Sequence, residues 1–127
     1  MKPKNMTGFS LLELIMALGI LSIGLLSLFS LSITTMKANK YSQNKTAALQ
    51  LAQEKMEAIK ALSFAELQGE NESGVITGSV GTLFRRETIV RKQPDSSLAE
   101  VTIRVSWPSL TNPASLQVTE LATSIAG

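Results

Sequence analysis

The hydrophobic and polar positions divide this chain into three regimes. Between Lys4 and Lys37 the only charge is Glu13. A helix crossing a bilayer core needs about 20 apolar residues, and Leu14–Ile33 supplies an uncharged apolar run of that length. The pattern predicts a membrane-spanning helix with one carboxylate at its start. The helical pattern then continues, with no Gly from Leu25 to Gln68 and no Pro until Pro94. In Tyr41–Leu62, Leu49, Ala52, Met56 and Ile59 recur in steps of three and four and mark one helix face. Gln50, Gln53, Glu54, Glu57 and Lys60 fall on the wetter side. If Phe9–Leu62 is one helix, it spans about 80 Å, and its second half needs a sheet to cover it.

The third regime alternates. Val101, Ile103, Val105 and Trp107 take turns with Glu100, Thr102, Arg104 and Ser106, so Ala99–Trp107 reads as a strand with one buried face. Leu83–Lys92 is a second strand whose alternation slips around Arg85-Arg86, as at a bulge. Pro94-Asp95-Ser96-Ser97 has turn residues and joins the two as a hairpin. Leu116–Thr123 is a third strand, with Leu116 and Val118 in phase and Leu121 out of it, which suits an edge. Gly69–Gly81, rich in Gly, reads as the main loop with a short strand at Val75–Thr77. Leu62–Leu67 extends the helix, with Gly69 near its C-terminal cap. The fold class is α+β, a long N-terminal helix on a small antiparallel sheet of three to four strands. The expected divisions are a basic leader over 1–8, an apolar helix over 9–36, its amphipathic continuation over 37–68, and loop plus sheet over 69–127.

Composition narrows the chemistry. The chain has no His and no Cys, so it lacks the commonest general base, the commonest metal ligand and any disulfide framework. No metal spacing, phosphate loop or nucleophile elbow is present. Glu66, Glu70 and Glu72 lie in or beside a Gly-rich loop and read as solvated. The expectation is a protein without catalytic residues, metal or cofactor. The net charge of +2 comes from Lys2 and Lys4 of the leader, which is poor evidence for a nucleic-acid partner. Arg85, Arg86, Arg91 and Lys92 form the one basic group on a strand. Nucleic-acid contact is the functional reading of that group. Phe84 is the only aromatic beside it, fewer than stacking platforms use, so an edge-protecting solvated set is preferred.

Glu13 has two readings on the residues alone. Ser10-x-x-Glu13 has the spacing of a helix capping box. Alternatively, a cut after Gly8 would give Phe9 a new α-amino group, about 6 Å along the helix axis from Glu13, and the carboxylate would answer the amine of a staggered neighbour. The flanking charges disagree about topology. Lys2 and Lys4 favour a cytoplasmic N-terminus, while Lys37, Lys40 and Lys45 argue for the reverse unless they sit at lipid headgroups. Ser30-Leu31-Ser32 would serve as a weak cleavage site if the segment were an ordinary signal peptide.

Gly8-Phe9-Ser10-Leu11-Leu12-Glu13, with a short basic leader before it and a long apolar run after it, resembles the N-terminus of type IV prepilins and type II secretion pseudopilins. The resemblance implies cleavage between Gly8 and Phe9 by a membrane prepilin peptidase on the cytoplasmic side, and N-methylation of Phe9 by the same enzyme. It implies that Glu13 pairs with the N-terminal amine of an adjacent subunit, and that the leader lies inside and the C-terminal part outside. Many major pilins carry a Pro in the apolar run, near Ser30 here; its absence suits a minor subunit. Gly24-Leu25-Leu26, Leu51–Glu57 and Val105-Ser106-Trp107-Pro108 resemble the type IV pilus modification proteins. The implied partners are other pilin or pseudopilin subunits, the prepilin peptidase, cytoplasmic-membrane lipids and the pilus assembly platform. The alternatives are a type II secretion pseudopilin, a DNA-binding minor pilin and a plain signal-anchored membrane protein.

Overall fold

The computed structural model describes residues 8–76 and 81–127. One helix, α1 (Leu11–Lys60), precedes a short 3₁₀ turn (Phe64–Glu66) and the strands β1 (Glu70–Ile76), β2 (Leu83–Lys92), β3 (Leu98–Pro108) and β4 (Leu116–Ala126). The strands form one antiparallel sheet in the order β1-β2-β3-β4. The arrangement is α+β, as the pattern predicts. The chain divides into two compact units, Met1–Ala38 and Asn39–Gly127.

The first unit, as far as it is described, is apolar helix. Its residues from Leu11 to Ala38 are all exposed, and its most apolar 18-residue window has a mean hydropathy of 2.4 with none of it buried. By length and composition this helix can cross a membrane. Four hydroxyls in or just beyond the run bond back to the helix. Ser22, Ser27, Thr34 and Thr35 each donate to the carbonyl four residues back, at 2.7–3.0 Å. In hydrocarbon such groups have no water to bond, and the helix satisfies these four itself.

The second unit packs the end of α1 on one face of the sheet. Its core joins Ala47, Ala48, Leu51, Ala52, Met56 and Ile59 of the helix to Phe84 of β2 and Ala99, Val101, Ile103, Val105 and Trp107 of β3. The helix stripe differs from the expected one. Ala52, Met56 and Ile59 are buried as predicted, but Leu49 is 40% exposed and Leu51 takes its place. The error has a physical origin. Ala47 and Ala48 carry little weight in a hydrophobic pattern, yet both are buried in the core. β3 behaves as predicted, its apolar phase being wholly inside. Burying a residue such as Ile103 contributes about 1.5–3 kcal/mol. Phe84 meets Trp107 with ring centroids 5.8 Å apart and planes tilted by 56°, within the favoured range for aromatic pairs.

Four boundaries or phases depart from the sequence pattern. First, α1 ends at Lys60, short of the expected 68. Ser63 opens the 3₁₀ turn instead, and the Glu66 carboxylate accepts both the Ser63 N–H at 3.0 Å and its hydroxyl at 2.8 Å. Second, the expected loop after Gly69 is largely strand. β1 runs from Glu70 to Ile76 against β2, despite the low strand propensity of Glu, Asn and Gly. Thr77, expected as the end of the short strand, and residues 78–80 lie outside the described residues. Third, β2 does not slip. Phe84, Arg86, Thr88 and Val90 all point inward, and its register with β3 is unbroken. The irregularity lies across from Arg85, on β1 between Glu72 and Val75. Fourth, β4 extends to Ala126 and has the opposite phase. Leu121 and Ile125 pack against the core, while Leu116 and Val118 are more than half or half exposed, at 57% and 50%. Apolar residues occupy both phases of β4, so its own sequence does not choose between them. Pairing chooses. Val105, Ile103 and Val101 point inward and lie opposite Thr119, Leu121 and Thr123, and opposed residues share a face. The turn holds that register through Ser109 N–H to Ser115 O at 3.0 Å.

The phase of β4 is testable by truncation in the full chain in detergent. Leu121→Ala should cost about 1–2 kcal/mol of stability to denaturant, and Val118→Ala no more than about 0.5 kcal/mol. Equal costs would contradict the observed phase.

Candidate functional site

The resemblance directs attention to the start of α1, and the local geometry there is simple. Ser10 is the residue before the helix. Its Oγ accepts the Glu13 N–H at 3.1 Å, and its carbonyl accepts the Leu14 N–H at 3.1 Å. This is half of a capping box. Among the described residues the Glu13 side chain bonds nothing in return. The carboxylate is in the first turn, where the helix dipole favours negative charge by about 0.3–1 kcal/mol, but it has no cationic partner there. Ser10 therefore does the capping, and the carboxylate is left over. Phe9 is 85% exposed. Gly8 is exposed too, and a Cβ built on it would meet nothing within 4 Å, so the fold of this chain does not require Gly at that position. Residues 1–7, including Lys2 and Lys4, lie outside the described residues.

Gly19 and Gly24 share that property, since an added Cβ meets nothing at either position. Each costs about 1 kcal/mol relative to Ala in a helix, with no packing within the chain to offset it.

The basic group on β2 is not one surface. Arg86 is buried at 9% exposure. Its Nε bonds the Glu72 carboxylate, and an NH1 donates to the Leu51 carbonyl of α1 at 3.1 Å. Lys55 approaches the other Glu72 oxygen at 3.7 Å. Arg86 is thus a pin between β1, β2 and α1, and this corrects its reading as a candidate nucleic-acid contact. Lys92 lies over the Phe64 ring, 5.1 Å from its centroid, on the inward phase of the strand. Arg85 and Arg91 point to the opposite, exposed phase. Sequence adjacency made a patch of residues that alternation sends to two faces. The outward face has its own charge ladder instead. Arg104 of β3 bonds Glu120 of β4 at 2.6 Å and reaches Glu87 of β2 at 3.5 Å, and pairing with Glu120 raises its pKa.

Glu72 titrates low, because the hydrogen bond from Arg86 holds its carboxyl below the ordinary value of 4.5. Among the described residues no group of three His, Cys, Asp or Glu could hold a metal ion.

Residues 3–29 match the family described as the prokaryotic N-terminal methylation motif. No curated protein and no solved structure matches the chain. The chain therefore carries the prepilin-type cleavage and methylation signal, which supports a type IV pilin or pseudopilin, a class of structural subunits. The match ends within the apolar helix and leaves the sheet without a relative.

Arg86→Ala should destabilise the full chain by about 1.5–3 kcal/mol, the range for hydrogen bonds to charged groups, while Arg85→Ala should change it by no more than about 0.5 kcal/mol. The Glu72 pair also gives a pH dependence. A carboxyl whose folded pKa is depressed adds stability that is complete above its unfolded value and is lost as pH falls through the folded one. Acid titration of unfolding below pH 4.5 should be steeper in the wild type than in Glu72→Gln. Identical acid limbs would show that the Arg86–Glu72 pair adds nothing.

Proposed function

We propose that this protein is a minor pilin, a non-enzymatic subunit that is held in the cytoplasmic membrane, processed after Gly8, N-methylated at Phe9 and assembled into a type IV pilus. The observation that carries the reading is the unanswered carboxylate of Glu13 at a fixed distance from Gly8-Phe9. The motif match covers both, and Ser10 has already taken the capping role. A charge in an apolar span costs a few kcal/mol unless it finds a partner. A new amine on Phe9 of a neighbouring subunit, one short stagger along the helix, is such a partner. Before assembly the apolar helix stores the subunit in the bilayer, its leader inside and its sheet outside. On extraction the same surface packs against other subunits' helices, where Gly19 and Gly24 permit close approach. While the subunit is in the bilayer, Lys37, Lys40 and Lys45 fall at the outer headgroups. The helix has no Pro to kink it, in keeping with a minor subunit of the modification type.

A type II secretion pseudopilin would use the same front end, and a secretion defect on deletion with intact pili would favour it. The DNA-binding reading has lost support, because Arg86 is engaged in the fold. A DNA-binding defect in an Arg86 variant would report loss of structure.

Intact mass and N-terminal sequence of the protein from native membranes test the processing. The expected chain starts at N-methylated Phe9. A chain that retains Met1, or begins after Ser32, would overturn the reading. Gly8→Val should slow that processing. The fold gives Gly8 no packing role, so a slowed cut would report the peptidase and not misfolding.

Glu13→Val should insert in the membrane at least as well as the wild type and enter pili at a level lower on the order of tenfold or more, since a buried charge left without its partner costs about 3–5 kcal/mol. Equal amounts of variant and wild type in sheared pili would remove Glu13 from the assembly step.

A further inference from the structure

The two edges of the sheet are built differently. β1 is 7 residues long, carries Glu70 and Glu72, and is broken by the irregularity between Glu72 and Val75. Such features protect an edge from pairing with another chain. β4 is 11 residues long and has no Pro, no Lys, no Arg and no bulge. Its one charge, Glu120, is tied to Arg104 on the face of the sheet.

The register also shows which backbone groups of β4 are free. Ser109 N–H bonds Ser115 O, and Gly127 N–H bonds Ser97 O. Both pairs continue the β3–β4 register, and hydrogen-bonded pairs alternate along an antiparallel ladder. The odd-numbered residues of β4 therefore face β3. The N–H and C=O groups of Leu116, Val118, Glu120, Ala122, Ser124 and Ala126 point away from it, and all of these residues are exposed. Among the described residues nothing pairs with them. On the helix side of the same strand, Leu121 and Ile125 are half-buried against the core.

We propose that the free edge of β4 is a strand-addition site, which takes an extended segment of a neighbouring protein with apolar residues at every second position. The unpaired backbone ladder selects an extended chain, because only that conformation offers donors and acceptors at the same spacing. The half-buried Leu121 and Ile125 select its pattern, because a strand laid beside them continues the core with its own inward side chains. A second copy of β4 fits poorly. Pairing over the full length, centred on Leu121, sets Leu121 against its own copy but Leu116 against Ala126, Val118 against Ser124 and Gln117 against Ile125, so the other large apolar residues each face a small or polar one. The inference extends the assembly reading by giving the sheet a partner besides that of the helix.

Amide hydrogen exchange along β4 tests this in the full chain, both in native membranes and purified in detergent. In the purified chain the amides of Leu116, Val118, Glu120, Ala122, Ser124 and Ala126 should exchange fast and those of Gln117, Thr119, Leu121, Thr123 and Ile125 slowly. In native membranes the first set should slow by at least tenfold. Ala122→Pro removes one outward donor without touching the β3 ladder, and edge strands accept Pro where the N–H faces solvent. It should abolish the slowing, whereas Ala122→Thr should keep it. Fast exchange of the first set in native membranes, or unchanged protection in Ala122→Pro, would overturn the proposal. Protection that grows with concentration in the purified chain alone would assign the edge to a second copy and also overturn it. N-terminal sequencing of the same membranes separates the two readings. A protected β4 on a chain that retains Met1 sinks the pilin assignment alone, and a free β4 on a chain starting at Phe9 sinks the strand-addition site alone.

Discussion

Every described residue of the apolar surface of α1 between Leu14 and Ile33 is exposed. That surface has to be covered by something, since water makes exposure of so many large side chains costly at about 25 cal/mol per Å². Lipid covers it without asking for shape or polarity, provided that no backbone or hydroxyl group is left unbonded. The helix goes far toward this condition through its own ladder and through the back-bonded Ser22, Ser27, Thr34 and Thr35. Other helices can cover it as well, and the two coverings are interchangeable because hydrocarbon and Leu side chains are equally apolar. One surface is thereby suited to storage in a membrane and to packing in a fibre.

The second unit depends on a different kind of fit. α1 meets the sheet through a stripe that includes Ala47, Ala48 and Ala52, and β3 presents a fully buried row. The Leu51 carbonyl lies within reach of Arg86. A guanidinium placed in a core is costly unless its donors are matched. Glu72 and the carbonyl match them, and the same contacts hold β1 on the sheet although its residues are poor strand formers. Asn44 is matched only in part, since its buried Nδ2 has no partner among the described residues. It is 1% exposed, and its Oδ1 accepts from Thr82 at 3.0 Å, linking the helix to the chain just before β2.

Much of this was legible in the sequence. The apolar span, β2 to the residue, the β3 alternation and the β2–β3 hairpin follow from periodicity, because in each case one pattern dominates its window. The processing motif is legible for another reason, in that leader, Gly, Phe, Glu and apolar run must all fall in register. What was not legible depends on partners in space. The phase of β4 is set by β3, since Leu116 and Val118 are as apolar as Leu121 and Ile125. The strand state of Glu70–Ile76 is set by β2 and Arg86. The inward turn of Arg86 follows from strict alternation with Phe84, but a charge at that position reads as a slip until its partners are known. The extra exposure of Leu49 follows from alanines that a hydrophobic count underrates.

The two units also differ in how local costs are answered. In the second unit the charged groups are compensated within the chain, buried Arg86 by Glu72 and Leu51 and Arg104 by Glu87 and Glu120, while the buried Asn44 Nδ2 and Thr88 Oγ1 find no partner among the described residues. In the first unit the charge is not compensated. Glu13 has no partner among the described residues, and Gly19 and Gly24 give up helix stability while touching nothing. Departures from local consistency that find no compensation inside a chain are where function is expected. Glu13, Gly19 and Gly24 lie together on the helix whose apolar surface is exposed among the described residues, and that placement points to contacts made between chains. The monomer structure is on this account half of a packing problem, whose other half is a neighbouring helix.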